Sequence, residues 1–208
     1  MKYSQNNEEE IVFDYFKNRP RSSLTFLDIG ANDGVALSNT YALACMGWSG
    51  VRIEPDPIPF EKLELQFFPG KVENYNYALG LHNEEADFYQ SDSHLTENDS
   101  GLLSTLKIKE TKRWKDSQKF EKINVKVLTW GSFYQRLDFL RLFNFISIDA
   151  EGMDLDILRQ LDLTKLGCEV LCIEYNSVQS SENIISSFCK YHGMRLMHKN
   201  NENLIYAR

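Results

Sequence analysis

The sequence predicts an α/β domain: a mostly parallel sheet with helices on both faces and an antiparallel hairpin at its C-terminal end. Three observations predict it. Short apolar runs alternate with segments of helical periodicity along most of the 208 residues, the pattern that buries a parallel sheet between helices. Four of the runs carry an acidic residue at or next to their ends, Asp28, Glu54, Asp149 and Glu174. The last two runs flank the turn KNNEN, as the arms of a hairpin do. The length suits one domain over 1–208, with 1–20 as an N-terminal helical segment and 91–120 as an insertion or lid.

The elements follow in order. Residues 8–17 place Ile11, Val12, Tyr15 and Phe16 on one helical face. Residues 24–29 are a buried strand ending at Gly30, and 38–46 a helix closed by Gly47. A second strand covers 50–54. Asp56-Pro57 then offers a cap and a first-turn proline, with Phe60, Leu63 and Phe67 as the apolar stripe. Residues 72–79 read as a third strand and 86–90 as a short one. Residues 91–100 are rich in Ser, Asp, Asn and Thr and read as an exposed loop; 91–105 is the candidate lid, with Gly101 as hinge. A charged helix over 107–117, a half-exposed strand over 123–127 and a helix over 129–137 come next. Alternation resumes with strand 143–148, helix 153–161, strand 170–173 and helix 182–192. Strands 194–198 and 204–207 close the chain.

Composition narrows the function. The net charge of −7 disfavours a duplex nucleic-acid partner, which calls for a basic face. The basic residues at 107, 109, 112, 113 and 115 read as a solvated helix face. No apolar run approaches the ~20 residues that span a bilayer, and the polar start MKYSQNNEEE has no signal-peptide core. Cys45, Cys168, Cys172 and Cys189 lack zinc spacing and read as small buried hydrophobes of a reduced, cytoplasmic protein.

The segment FLDIGANDG, 26–34, carries the chemistry. Gly30 and Gly34 allow a tight strand-to-helix turn and a close approach of backbone to ligand. The spacing is G-x-x-x-G, with Asn32 where the dinucleotide fingerprint needs glycine. Asp28 and Asp33 near the turn would repel pyrophosphate and suit an ammonium or sulfonium, which disfavours an NAD-type oxidoreductase. Glu54, at the end of the next strand, sits near the offset at which a carboxylate accepts ribose hydroxyls. A ribose joined to a cationic, phosphate-free remainder describes S-adenosylmethionine.

At this point the chain resembles the FkbM-type S-adenosylmethionine-dependent methyltransferases. The resemblance rests on FLDIGANDGVALSNT, GWSGVRIEPDP, NYALG, SGLLSTL, VKVLTW and FNFISIDAEGMDLDILRQLDL, and runs from about residue 24 onward. It implies the Rossmann-like class I methyltransferase fold with a seven-stranded sheet. It also implies methylation of hydroxyl oxygens on sugars or small metabolites, so that the expected partner is a small-molecule or glycan hydroxyl. It places the methionine part of the cofactor on the 30–34 turn, the ribose on Glu54 and the adenine beside Tyr77-Ala78. The expected cofactor set is therefore Asp28, Gly30, Asn32, Asp33, Gly34, Glu54, Pro55, Tyr77, Ala78 and Asp149. The chain leaves little room for a separate substrate-recognition domain.

Methyl transfer asks the protein to position an acceptor and remove its proton. Asp149, Glu151 and Glu174 are the candidate catalytic residues, at two neighbouring strand ends. Asp149, Glu174 and Asn176 together offer oxygens that could hold Mg²⁺. The alternative is that Asp149 contacts the cofactor, Glu151 caps the following helix and no metal binds. His94 and His198 are further candidate bases. A cofactor-binding partner protein without catalysis is the remaining class.

Overall fold

In the computed structural model, which describes residues 3–93, 101–137 and 142–208, seven strands form one sheet. In spatial order they are Val72–Tyr75 (β3), Ser49–Ile53 (β2), Thr25–Ile29 (β1), Phe145–Ile148 (β7), Val170–Glu174 (β8), Asn203–Ala207 (β10) and Arg195–Lys199 (β9). The first five run parallel; β10 is antiparallel to both β8 and β9. The mostly parallel sheet with a C-terminal antiparallel hairpin is thus as the sequence predicts.

Three strands leave this sheet. Ala78–Leu79 (β4), Glu84–Ser91 (β5) and Phe120–Leu128 (β6) form a second sheet of order β4-β6-β5. The single third strand expected over 72–79 is therefore two strands in two sheets. The break lies at Asn76, whose Nδ2 donates to the carbonyls of Glu54 (2.9 Å) and Pro55 (3.1 Å). That side chain satisfies carbonyls at the end of β2, and the chain turns out of the sheet beyond it. Strands β5 and β6 are also longer than predicted, because eight residue pairs extend the antiparallel ladder.

Alternation along β1 sends its side chains to two cores. Leu27 and Ile29 pack with Trp130–Tyr134 (α5), Asp154–Leu158 (α6) and Gln179–Tyr191 (α7) through Phe133, Ile157 and Ile185. Phe26 faces the other side, with Val12 and Phe16 of Glu8–Phe16 (α1) and Leu43 of Tyr41–Cys45 (α2). Each such fully buried side chain contributes roughly 1.5–3 kcal/mol. Pro57–Glu64 (α3) starts where predicted, capped by Asp56, which accepts from the Ile58 N–H at 3.0 Å. It stops before Phe67, which is 95% exposed instead of completing the apolar stripe. Ile108–Arg113 (α4) is a shorter helix than the expected 107–117. Cys45 is exposed, against the expectation for all four cysteines; the other three are buried.

Glu8 is the unexpected core residue. It is wholly buried, and its carboxylate accepts from the Asn6 N–H (2.8 Å) and from the amides of Asn200 (2.7 Å) and Asn203 (3.0 Å). This ties the N-terminal segment to the β9–β10 turn. Burial raises the Glu8 pKa, but the hydrogen bonds outweigh it and the net shift is downward. Glu8→Ala should cost roughly 2–4 kcal/mol of stability by urea unfolding at neutral pH. The difference should shrink as pH falls through the Glu8 pKa, since a depressed carboxyl stabilises only above it. A variant as stable as the parent would mean that the segment is not docked through Glu8.

Candidate active site

The strand order reverses between β1 and β7: successive strands move outward on one side through β2 and β3, and on the other through β8. Open α/β sheets bind ligands at the carboxyl end of such a point. A cavity of about 270 Å³ lies there.

The 30–34 turn forms one wall. Gly30 has φ +85°, and a Cβ there would overlap the backbone carbonyl of Asp149. The glycine is thus demanded by packing of β1 against the end of β7. Gly34, at φ +72°, is required by the Arg52 and Leu63 side chains behind the turn and does not line the cavity. Asp33 also stays out: its Oδ1 accepts from the N–H groups of Val35 and Ala36, both 2.8 Å, and so caps the turn. Asp28, Gly30, Asn32, Glu54, Pro55, Tyr77, Ala78, Asp149, Glu151, Glu174 and Asn176 all line the cavity.

Glu54 is the most firmly placed of these. It is 5% exposed, and its two oxygens accept from the backbone N–H of Asn32 (2.8 Å) and of Asp56 (2.7 Å). Burial nevertheless dominates and pushes its pKa up to about 8. Asp28 lies in a buried polar row that crosses four strands in register: Arg52, Asp28, Ser147 and Cys172. Thr40 donates its hydroxyl to Asp28, and Asn39 reaches Ser147 Oγ at 3.1 Å. These contacts bring the 38–40 loop down onto the cavity.

Asp149 caps the row of strand ends. Burial first, then the charges of Asp154 and Asp28, push its pKa up to about 7. Glu151 and Glu174 are raised well above the carboxylate range by burial, with the Asp149 charge as the next cause. Oxygens of Asp149, Asp154 and Glu174 lie within 4.8 Å of one another. Asp154 thus joins Asp149 and Glu174 of the expected metal set, and the third expected member, Asn176, bonds Glu174 through its side chain. Asp154 is itself engaged, accepting from the N–H of Ala150 (2.8 Å) and of Gly152 (3.1 Å) at the start of α6. Among the described residues, this is the group of carboxylates with metal-compatible spacing.

His198 lies on the edge strand β9, away from the lining, and His94 lies outside the described residues, as does 94–100 of the expected lid. The described parts of that lid are anchored: Ser91 ends β5, and 101–105 is hydrogen-bonded to β5 through Gly101, Leu103 and Thr105. Sequence reading missed several lining residues. Leu102, Leu103 and Ser104 reach the cavity from SGLLSTL, read in the sequence as part of the lid but not as site residues. Arg113 and Trp114 reach it from the end of the basic helix taken as a solvated face, and Gln5 from the N-terminal segment.

A seven-stranded sheet of this order, with its cavity at the reversal point and acidic strand ends around it, is the Rossmann-like fold of class I methyltransferases. The chain belongs to the FkbM methyltransferase family: the family described as "Methyltransferase FkbM domain" matches residues 28–197. Among solved structures it is similar to methyltransferase FkbM from Methylobacillus flagellatus, at 14% identity and TM-score 0.51, covering 99% of this chain and 56% of that one. It is also similar to the N-terminal domain of human METTL16 in complex with SAH (12% identity, TM-score 0.47, 96% and 66% covered). A third is the precorrin-6y C5,15-methyltransferase of Geobacter metallireducens (12%, TM-score 0.42, 100% and 93%). At 14% identity the likeness to the first of these is one of fold. The chain spans little more than half the length of the first of these structures. No match was found among curated proteins. No described helix is long and apolar enough to cross a membrane.

The raised carboxyls set a pH dependence. Asp149 and Glu54 keep protons in the folded chain that the unfolded chain releases near pH 4. Stability should therefore fall as pH rises from about 4 through about 8. The urea midpoint of ligand-free protein should be lower at about pH 8.5 than at about pH 5.5, and Asp149→Asn should flatten the slope. A midpoint that rises over this window would contradict the burial of these groups.

Proposed function

We propose that the cavity holds S-adenosylmethionine and that the chain methylates a hydroxyl oxygen of a small molecule or sugar. The observation that carries the reading is Glu54, fixed by two backbone N–H groups in the same cavity as Asp28 and Asp149. The chemistry of the lining fits such a ligand. Six carboxylates line the cavity, those of Asp28, Glu54, Asp149, Glu151, Glu174 and Glu202, against the single guanidinium of Arg113 among the described residues. That balance favours a cationic, phosphate-free ligand and opposes the pyrophosphate of NAD. Glu54 retains lone pairs for ribose hydroxyls after accepting its two N–H bonds. Gly30, Asn32 and Asp28 would hold the methionine portion, and Pro55, Tyr77 and Ala78 the adenine.

Bound there, the cofactor supplies a methyl group already activated by sulfonium charge, so the chain has to position an acceptor and take its proton. Asp149 is suited to take that proton, because it lines the cavity and its pKa of about 7 matches a base working near neutrality. Glu174, held by Asn176, and Glu151, facing the charge of Arg113, would orient the acceptor. The surplus of carboxylates over cations in the cavity also disfavours an acceptor that carries phosphates, nucleic acid included. A purely cofactor-binding role is separated from catalysis by assaying turnover alongside titration.

Glu54→Ala should weaken S-adenosylmethionine binding at least tenfold by calorimetry, since a hydrogen bond to a charged group is worth roughly 1.5–3 kcal/mol. The parent protein should bind S-adenosylmethionine and its demethylated product but not NAD. Unchanged affinity in folded Glu54→Ala would put the ribose elsewhere.

The spacing of Asp149, Asp154 and Glu174 favours a second reading, in which a hard cation such as Mg²⁺ activates the acceptor hydroxyl. Against it, the backbone N–H groups of Ala150 and Gly152 already occupy Asp154. Protein freed of metal by a chelator should therefore keep full turnover. Asp149→Asn should lower turnover by roughly 10²–10⁴-fold, as loss of a positioned base does. Turnover that vanishes on chelation and returns with Mg²⁺ or Mn²⁺ would establish the metal reading instead.

A further inference from the structure

Residues 101–107 form one wall of the cavity and are fastened to the walls on both sides. On the β2 side, Ser104 Oγ donates to Asp56 Oδ2 at 3.0 Å. On the β7 side, Thr105 Oγ1 donates to the carbonyl of Glu151 at 2.7 Å, and Lys107 Nζ pairs with Asp156 at 2.9 Å. Beside these ties, Leu103, Ser104 and Leu106 line the cavity. The segment is a strap along the site.

Asp56 sits where the strap, the second sheet and the Glu54 loop meet. It is wholly buried and does not line the cavity. Its Oδ1 accepts from Gln90 Nε2 of β5 (2.6 Å) and from the Ile58 N–H (3.0 Å), and its Oδ2 from Ser104. Its own backbone N–H donates to Glu54 Oε1 at 2.7 Å. Capping α3 needs one oxygen of a short side chain. Serine at position 56 would do that equally well, but could not also reach Gln90 and Ser104. The second carboxylate oxygen therefore serves something other than the helix.

We infer that Asp56 is a positioning residue: it latches the 101–107 strap and the second sheet to the Glu54 loop, so that strap closure and cofactor binding are coupled. The inference rests on the cofactor reading above. One side chain joins the wall that carries Glu54 to the strap beside it. Loosening the latch frees the strap and lets Glu54 drift from the backbone N–H that fixes it.

The test compares two substitutions that both keep the helix cap. In Asp56→Asn, the amide can still accept from Gln90 and Ile58, and the Ser104 hydroxyl can turn to accept from it. Asp56→Ser keeps the cap and loses the latch. Amide exchange in the ligand-free proteins should show Gly101, Leu103 and Ser104 exchanging faster in Asp56→Ser, and near parental rates in Asp56→Asn. Calorimetry with S-adenosylmethionine should show roughly tenfold weaker binding for Asp56→Ser and little change for Asp56→Asn. Gln90→Ala, outside the cavity and the cap, should weaken binding in the same direction and be non-additive with Asp56→Ser. Parental exchange and affinity in Asp56→Ser would overturn the latch and leave Asp56 a helix cap. Faster exchange with unchanged affinity would overturn the coupling. A parent protein that fails to bind S-adenosylmethionine would sink the cofactor reading, and the coupling with it, while the exchange arm still judges the latch.

Discussion

The site depends on one close approach, that of the Gly30 backbone to the carbonyl of Asp149. A Cβ on residue 30 would overlap that oxygen. Because there is none, the turn after β1 lies directly on the end of β7, and the Asp149 N–H donates to the Ile29 carbonyl at 2.9 Å. On the other side, the N–H groups of Gly30 and Ala31 both donate to the Ile53 carbonyl. The three strand ends are thus stitched at the level of the turn. Asp28, Glu54 and Asp149, which end or nearly end those strands, are brought into one cavity by this stitching.

Bringing carboxylates together in a buried place has an electrostatic consequence. Desolvation and mutual repulsion both disfavour the charged forms, so Asp149, Glu151 and Glu174 all shift upward. Glu8 shows the contrast. It is no less buried, but the nitrogen donors of Asn6, Asn200 and Asn203 around its carboxylate leave it below its ordinary value. The fold therefore has the means to stabilise a buried carboxylate and uses them at Glu8, whereas Asp149 is left in the company of other acids. A cation entering the cavity supplies what the surrounding protein does not.

Much of this was legible in the sequence, for a local reason. Strand ends show as apolar runs stopped by an acid, and parallel sheets bind ligands at their carboxyl ends, so Asp28, Glu54, Asp149 and Glu174 could be named without coordinates. What stayed hidden depends on long-range contacts. Asp33 looks like a ligand-facing acid in the sequence, yet two N–H groups within three residues claim it. The third strand looks continuous over 72–79; its break rests on Asn76 bonding carbonyls some twenty residues earlier. Arg113 and Trp114 look like part of a solvated helix, and Gly152 packed against the Glu110 side chain shows why they are not: α4 lies over the 149–152 turn. The burial of Glu8 requires Asn200 and Asn203, nearly the whole chain away.

The central claim is that the buried acids of the cavity are there to meet a cationic ligand. Calorimetry of S-adenosylmethionine binding near pH 7.5, repeated in buffers of different ionisation enthalpy, measures it directly. Asp149 and Glu54, with pKa values of about 7 and about 8 in the free protein, should give up protons as the cation arrives, and binding should release a measurable fraction of a proton. The demethylated product, which lacks the sulfonium charge, should release less. Proton uptake, or equal release by both ligands, would contradict the account.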